Sequence, residues 1–191
     1  MEAVFDECEA VPVAEAQAWT GAALRLRPPV GEDGPAVTRL VADCPPLDPN
    51  SSYCNLLQCD HFADTCVVAE IAGRMVGWIS AYRPPSEPDE IFVWQVAVHP
   101  SARGQGLGGR MLAELMRRPR VRDAARLTTT VTEDNQASMA MFAGFARRHG
   151  MQVSRTLKFD RDRHFDGRHD AEWQLSIGPL PTFRKQRQEV E

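Results

Sequence analysis

The chain has no apolar run approaching the length needed to cross a bilayer, so a soluble protein is expected. Its first 23 residues lack a basic start and a sustained apolar segment, carrying Glu2, Asp6, Glu9 and Glu15 among alanines and valines. No secretory leader is read there; the segment is expected to be disordered and the protein cytoplasmic. Cysteine is sparse and odd in number, with Cys8, Cys44, Cys54, Cys59 and Cys66 and none in the second half, which is unlike a disulfide framework. Reduced thiols are expected. Cys54, Cys59, His61 and Cys66 cluster without a close C-x-x-C pair, and Leu56, Leu57 and Phe62 between them fit an inward-packing helix. Buried cysteine is therefore favoured over zinc, and no metal is expected. Positive charge is not concentrated either: 20 arginines are scattered among 26 acids, the net charge is −4, and nothing favours nucleic-acid binding. No internal repeat is visible.

What is present is ordinary for one globular domain: 191 residues, 43% apolar and 25% charged. Period and breakers predict a strand at 24–27, a helix at 34–42 and a polar loop at 45–52. A short helix near 55–59 is followed by strands at 65–70 and 75–82, joined through Ala72-Gly73-Arg74. Next come a strand at 91–98, a helix at 105–117, a strand at 127–131 and a helix at 135–149 ended by Gly150. A strand at 152–159, a charged loop at 160–170 and a strand at 172–177 close the pattern, and 182–191 reads as a flexible tail. The early hairpin implies antiparallel pairing and the central strand-helix-strand parallel pairing, so a mixed sheet with helices on both faces is expected.

The most informative stretch is Gln95-Val-Ala-Val-His-Pro-Ser-Ala-Arg-Gly-Gln-Gly-Leu-Gly-Gly-Arg110, where an apolar strand enters a glycine-rich turn that opens an amphipathic helix. Gly104, Gly106, Gly108 and Gly109 let backbone N–H groups converge on an anion at a helix N-terminus, and Arg103 can add charge-assisted hydrogen bonds. Gly104-x-Gly106-x-x-Gly109 also matches a dinucleotide fingerprint. In that fold the first glycine ends the strand directly and an acid follows about 20 residues on. Here five residues intervene, and the next strand, Leu127-Thr-Thr-Thr-Val131, brings no acid before Glu133. A single pyrophosphate is the preferred ligand, over a dinucleotide or a turn without ligand.

Arg103-Gly-Gln-Gly-Leu-Gly108 resembles the acyl-CoA signature of the GNAT N-acetyltransferases, and Asp134-Asn-Gln-Ala-Ser-Met-Ala-Met-Phe142 is similar to their second motif. The order of elements agrees over 24–159. The resemblance implies one domain over 24–181 with an α/β fold: a mixed, mostly antiparallel sheet, a central parallel pair splayed by a bulge, and helices on both faces. It implies acetyl-CoA as cosubstrate. Leu47-Asp-Pro-Asn-Ser-Ser-Tyr53, Asp60-His-Phe, Thr65-Cys-Val-Val-Ala-Glu70, Phe92-Val-Trp-Gln-Val-Ala-Val98 and His164-Phe-Asp-Gly-Arg-His169 look like the branch that acetylates the γ-amine of L-2,4-diaminobutyrate in ectoine biosynthesis under osmotic stress. That branch also implies a homodimer.

By this resemblance, backbone groups of Val96 and Val98 meet the pantetheine amides, Arg103 and Gly104, Gly106, Gly108 and Gly109 hold the pyrophosphate, and Asn135 bonds the pantetheine arm. Asn135 is equally a good helix cap. The substrate's two ammonium groups and one carboxylate ask for an acid and hydrogen-bond donors, for which Asp48, Ser51, Tyr53, Trp94 and Glu172 are candidates. A primary amine titrates near about 10.4, so a proton acceptor is needed. Glu172 is the first choice and His169 the second. Many members protonate the leaving thiolate with a tyrosine where this chain has Met141-Phe142, which leaves Tyr53, a water, or no acid. Two other readings stand beside this one: a protein or peptide acetyltransferase, which wants an open groove, and a non-catalytic acyl-CoA sensor.

Overall fold

Twelve helices and strands are laid out in a computed structural model that describes residues 23–180, with β1 (Leu24–Arg27), α1 (Gly34–Ala42) and α2 (Ser52–Asp60) leading. They are followed by β2 (Val67–Ile71), β3 (Arg74–Tyr82), β4 (Glu90–Val98), α3 (Leu107–Arg117), β5 (Arg126–Val131) and α4 (Gln136–Arg148). β6 (Gln152–Phe159), α5 (Arg161–Phe165) and β7 (Glu172–Gly178) complete them. Residues 1–22 of the expected N-terminal segment and the expected tail at 182–191 lie outside the described residues. No described helix is long and apolar enough to cross a membrane.

The strands form one sheet in the order β1-β2-β3-β4-β5-β7-β6, in which only β4 and β5 run parallel. The expected mixed, mostly antiparallel sheet is therefore observed. Ala72 (φ 51°) and Gly73 (φ 77°) supply the two left-handed residues of the turn that joins β2 to β3. Helices cover both faces. On one, Met111, Leu112 and Leu115 of α3 and Phe142 and Phe145 of α4 bury against Ile79, Ile91, Val93 and Leu127. On the other, Val37, Leu40 and Val41 of α1 and Cys59 of α2 bury against Val68, Trp78 and Ala97.

Helix starts follow their caps. α2 begins earlier than periodicity predicts because the Ser51 side chain accepts a hydrogen bond from the Cys54 N–H at 3.1 Å. α3 begins later, at Leu107, because Gly106 takes a left-handed φ of 70° at its N-cap. The expected charged loop at 160–170 contains a short helix, α5, whose first turn is held by Asp160 Oδ1 accepting from the Asp162 and Arg163 N–H groups. Those two bonds keep the Asp160 carboxyl below its ordinary range, the Arg163 N–H first.

The central strands part beyond Phe92 of β4. β4 and β5 pair only over Glu90–Phe92 against Arg126–Thr128. β4 carries an extra residue at Trp94, since Ser80 faces Gln95 and Ala81 faces Val93 across the β3 pairing. An extra residue reverses the alternation of sides. Ile91 and Val93 accordingly join the α3/α4 core, whereas beyond the bulge Val96 and Val98 lie on that side and Ala97 on the α1/α2 side.

Candidate active site

The parted strands open a cavity of about 780 Å³ lined by Val93, Trp94, Gln95 and Val96 of β4 and by Thr129 to Thr132 beside β5. Asp48 and Pro49 of the loop before α2 close one end, and Asn135 and Phe142 of α4 lie against another. The segment expected to be a charged loop forms a wall, contributing Arg161, Arg168, His169 and Asp170, and Glu172 enters from β7.

Charges of both signs thus line one half-open cavity. Asp48, Asp134, Asp170 and Glu172 offer carboxylates, Arg161 and Arg168 guanidinium groups. Such a set suits a small molecule that carries ammonium and carboxylate together. Glu172 is mostly covered, with its Oε1 4.0 Å from His169 Nε2. His169 Nδ1 lies 2.7 Å from the Asp170 carbonyl, which can only accept, so the proton sits on Nδ1 and Nε2 faces the carboxylate.

Asp48 is fixed as a turn: its Oδ1 accepts from the Asn50 N–H at 3.0 Å, with Asn50 at φ 57°. Its carbonyl accepts from Gln95 Nε2 at 2.5 Å. Trp94, on the bulge, stands edge-on to Tyr82 at a centroid distance of 6.3 Å and remains 45% exposed.

Two expected substrate contacts are not brought to this cavity. Tyr53, on the first turn of α2, is 68% exposed and lies outside the lining, because the helix that carries it turns its buried face, Asn55, Gln58 and Cys59, toward the sheet. Ser51 is occupied as the α2 cap. With Tyr82 packed on Trp94, no tyrosine lines the cavity among the described residues.

On the cofactor side, Val96 lines the gap, whereas the Val98 carbonyl already accepts from Arg103 Nε at 3.0 Å and from Cys44 Sγ at 3.3 Å. The glycines divide into two groups. Gly104 (φ 76°) and Gly106 (φ 70°) adopt left-handed backbone with open space around them. Gly108 and Gly109 are helical, and a Cβ there would collide with Met141 Sδ and Arg148 Nη2 of α4. Their N–H groups nonetheless lie in the first turn of α3, where helical geometry leaves donors free for an anion. Asn135 lines the cavity and also caps α4, its Oδ1 accepting from the Ser138 N–H at 3.0 Å.

Cys44, Cys54, Cys59 and Cys66 are free thiols, and burial pushes Cys59 and Cys66 up to about 12. Among the described residues no group of three or more His, Cys, Asp or Glu could hold a metal ion. Gln95, Arg161 and Arg168 are site residues that the sequence reading did not select. Gln95 had a signal, a lone amide inside the apolar run Phe92 to Val98. Arg168 lay inside the quoted run His164 to His169, whereas Arg161, one of 20 arginines, had no signal.

The model of the acetyltransferase (GNAT) family matches residues 35–145. L-2,4-diaminobutyric acid acetyltransferase of Methylotuvimicrobium alcaliphilum is 48% identical over 161 residues, spanning 84% of this chain and 94% of that protein. The chain belongs to the GNAT acetyltransferases, among the L-2,4-diaminobutyric acid acetyltransferases. The Bordetella parapertussis protein of that name is 49% identical over 169 residues, 88% of this chain and 91% of its own. In the solved structures, diaminobutyrate acetyltransferase EctA from Paenibacillus lautus, in complex with its substrate L-2,4-diaminobutyric acid and coenzyme A, superposes with a TM-score of 0.79. It is 39% identical and covers 83% of this chain and 96% of that one. The splayed strands and glycine turn of this GNAT chain therefore sit in a fold whose solved relative holds both an amino acid and coenzyme A.

Proposed function

We infer that the chain transfers acetyl from acetyl-CoA to the γ-amine of L-2,4-diaminobutyrate, giving N4-acetyl-L-2,4-diaminobutyrate, the acetylated diamine of ectoine biosynthesis. The observation that carries this reading is the cavity where β4 and β5 part, lined by carboxylates and guanidinium groups, with the glycine turn following β4. The P. lautus neighbour, bound to the same amino acid and to coenzyme A, supports it.

Acetyl-CoA fits the chain's own features. Val96 borders the gap between the strands, Asn135 lies at its edge, and the Gly104 and Gly106 turn with Arg103 presents N–H and guanidinium donors to a pyrophosphate. At the other end Asp48 meets an ammonium group and the arginines meet the carboxylate, which leaves the γ-amine toward the thioester. The γ-ammonium first loses one proton to solvent; as the C–N bond then forms and the C–S bond breaks, a second proton leaves the amine nitrogen for Glu172, whose Oε1 stands 4.0 Å from His169 Nε2, and the coenzyme departs as its thiolate. A thiol titrates near about 8.5, so the thiolate can leave without a dedicated acid. Tyr53, 68% exposed, is not needed as that acid.

Arg161 and Arg168 line the cavity beside Asp48 and Glu172, a set of charges that matches the carboxylate and ammonium groups of a free amino acid. A cytoplasmic homodimer accords with the reading, and the exposed Val153, Leu157 and Phe159 on edge strand β6 support self-association. The test is thiol release from acetyl-CoA with diaminobutyrate, ornithine, lysine and a short peptide, with the acetyl position read by NMR. Preferred γ-acetylation of diaminobutyrate is expected. Turnover confined to the peptide, or coenzyme binding without turnover, would overturn it.

A further inference from the structure

Two buried amides hold consecutive carbonyls of the loop that carries Asp48. Gln95, 6% exposed, donates Nε2 to the Asp48 carbonyl at 2.5 Å and accepts at Oε1 from Asn50 Nδ2 at 3.3 Å. Asn55, fully buried on α2, donates Nδ2 to the Pro49 carbonyl at 3.2 Å and to Thr38 Oγ1 of α1 at 3.0 Å. The loop is thereby tied at once to the central strand and to the helical layer.

Gln95 reaches the loop only because of the bulge. Were the β4 alternation unbroken, Gln95 would share the side of Ile91 and Val93 and face the α3/α4 core. The extra residue at Trp94 turns it to the side of Ala97, beside the Asp48 loop and opposite Ser80 in register. The same distortion that opens the coenzyme gap therefore aims an amide at the acceptor loop. A buried amide left without partners would be costly, so the loop conformation and the Gln95 rotamer fix one another.

We propose that Gln95, seconded by Asn55, is the positioning residue that holds Asp48 at the acceptor end of the cavity, so that binding of the amino acid depends on the β4 bulge. The proposal rests on the diaminobutyrate reading of the site. Gln95 itself does no chemistry, and its effect on turnover passes through the Asp48 backbone.

The experiment compares wild type with Gln95→Glu, which keeps the shape but loses the Nε2 donor, with Gln95→Leu, and with Asn50→Ala, which loses one bond from the loop side. KM for diaminobutyrate, KM for acetyl-CoA, thermal midpoint and amide exchange over residues 48–52 are measured on each. All three variants are expected to raise the diaminobutyrate KM, by about tenfold for Gln95→Leu, to leave the acetyl-CoA KM within about twofold, and to speed exchange of the loop. A lowered thermal midpoint with both KM values unchanged or shifted together, and with loop exchange unchanged, would overturn the proposal. Absence of diaminobutyrate turnover in wild type would instead sink the functional reading. Exchange at residues 48–52 then still decides whether Gln95 holds the loop, unchanged protection overturning it.

Discussion

Glu172 Oε1 stands 4.0 Å from His169 Nε2, while the opposite ring nitrogen of His169 is held by the Asp170 carbonyl at 2.7 Å. The imidazole is oriented from behind by the backbone, so its free nitrogen faces the carboxylate that lines the cavity. If Glu172 takes the amine proton, Glu172→Gln removes the acceptor with little change of shape. Its kcat in the thiol-release assay is expected to fall at least about 100-fold, with a smaller loss for His169→Asn. Coenzyme affinity, read by calorimetry, should stay within about twofold in both. Equal loss of coenzyme binding would remove Glu172 from the acceptor side.

Asp48→Asn retains the turn, because an amide oxygen can accept from the Asn50 N–H as the carboxylate does. It removes the negative charge proposed to meet an ammonium group. Diaminobutyrate KM is expected to rise by about tenfold or more while the acetyl-CoA KM is kept, and discrimination against ornithine should weaken.

The two glycine pairs should lose stability for different reasons. Gly108→Val drives a branched side chain into Met141 of α4 and is expected to cost about 1–3 kcal/mol in denaturant unfolding. Gly106→Ala meets open space, and its cost, about 1–2 kcal/mol, comes from the left-handed backbone alone. Gly106→Trp should block coenzyme binding while the protein remains folded.

Arg27, at the end of β1, joins Glu70 of β2 to Asp33 at the start of α1, with Nη1 and Nη2 at 2.6 and 2.8 Å from Asp33 and Nη2 at 2.5 Å from Glu70. Hydrogen bonding to Arg27 holds both carboxyl groups below their ordinary range. A depressed folded-state value means stability that is complete above the ordinary carboxylate range near about 4 and lost as pH falls toward the lower folded values. Arg27→Met is expected to cost about 1.5–3 kcal/mol at pH 7 and to flatten the acid-side decline between about pH 4 and 2, as followed by unfolding at stepped pH. A decline as steep as that of wild type would show that other carboxylates dominate.

Much of the architecture is determined by local pattern. The alternation of β1, the apolar run of β3, the apolar stripe of α3, the Ala72-Gly73 turn and the Gly150 stop (φ 66°) act over a few residues, so their positions can be read from the chain alone. The glycine turn and the Asn135 cap are local in the same way, so both could be read from the chain. At the acceptor end Asp48, Trp94, His169 and Glu172 were singled out in the sequence and line the cavity, but how they meet was not legible, because they come from segments far apart: the loop at 45–51, the bulge at Trp94, and the 160–172 wall. Only tertiary structure could choose Arg161 and Arg168 from 20 arginines, assign Gly108 and Gly109 to helix packing, and turn Tyr53 outward while Gln95 turned in. The physical reason is a single extra residue in β4, which reverses the side every later residue faces, a shift that hydrophobic alternation fixes only once both layers of helices are packed.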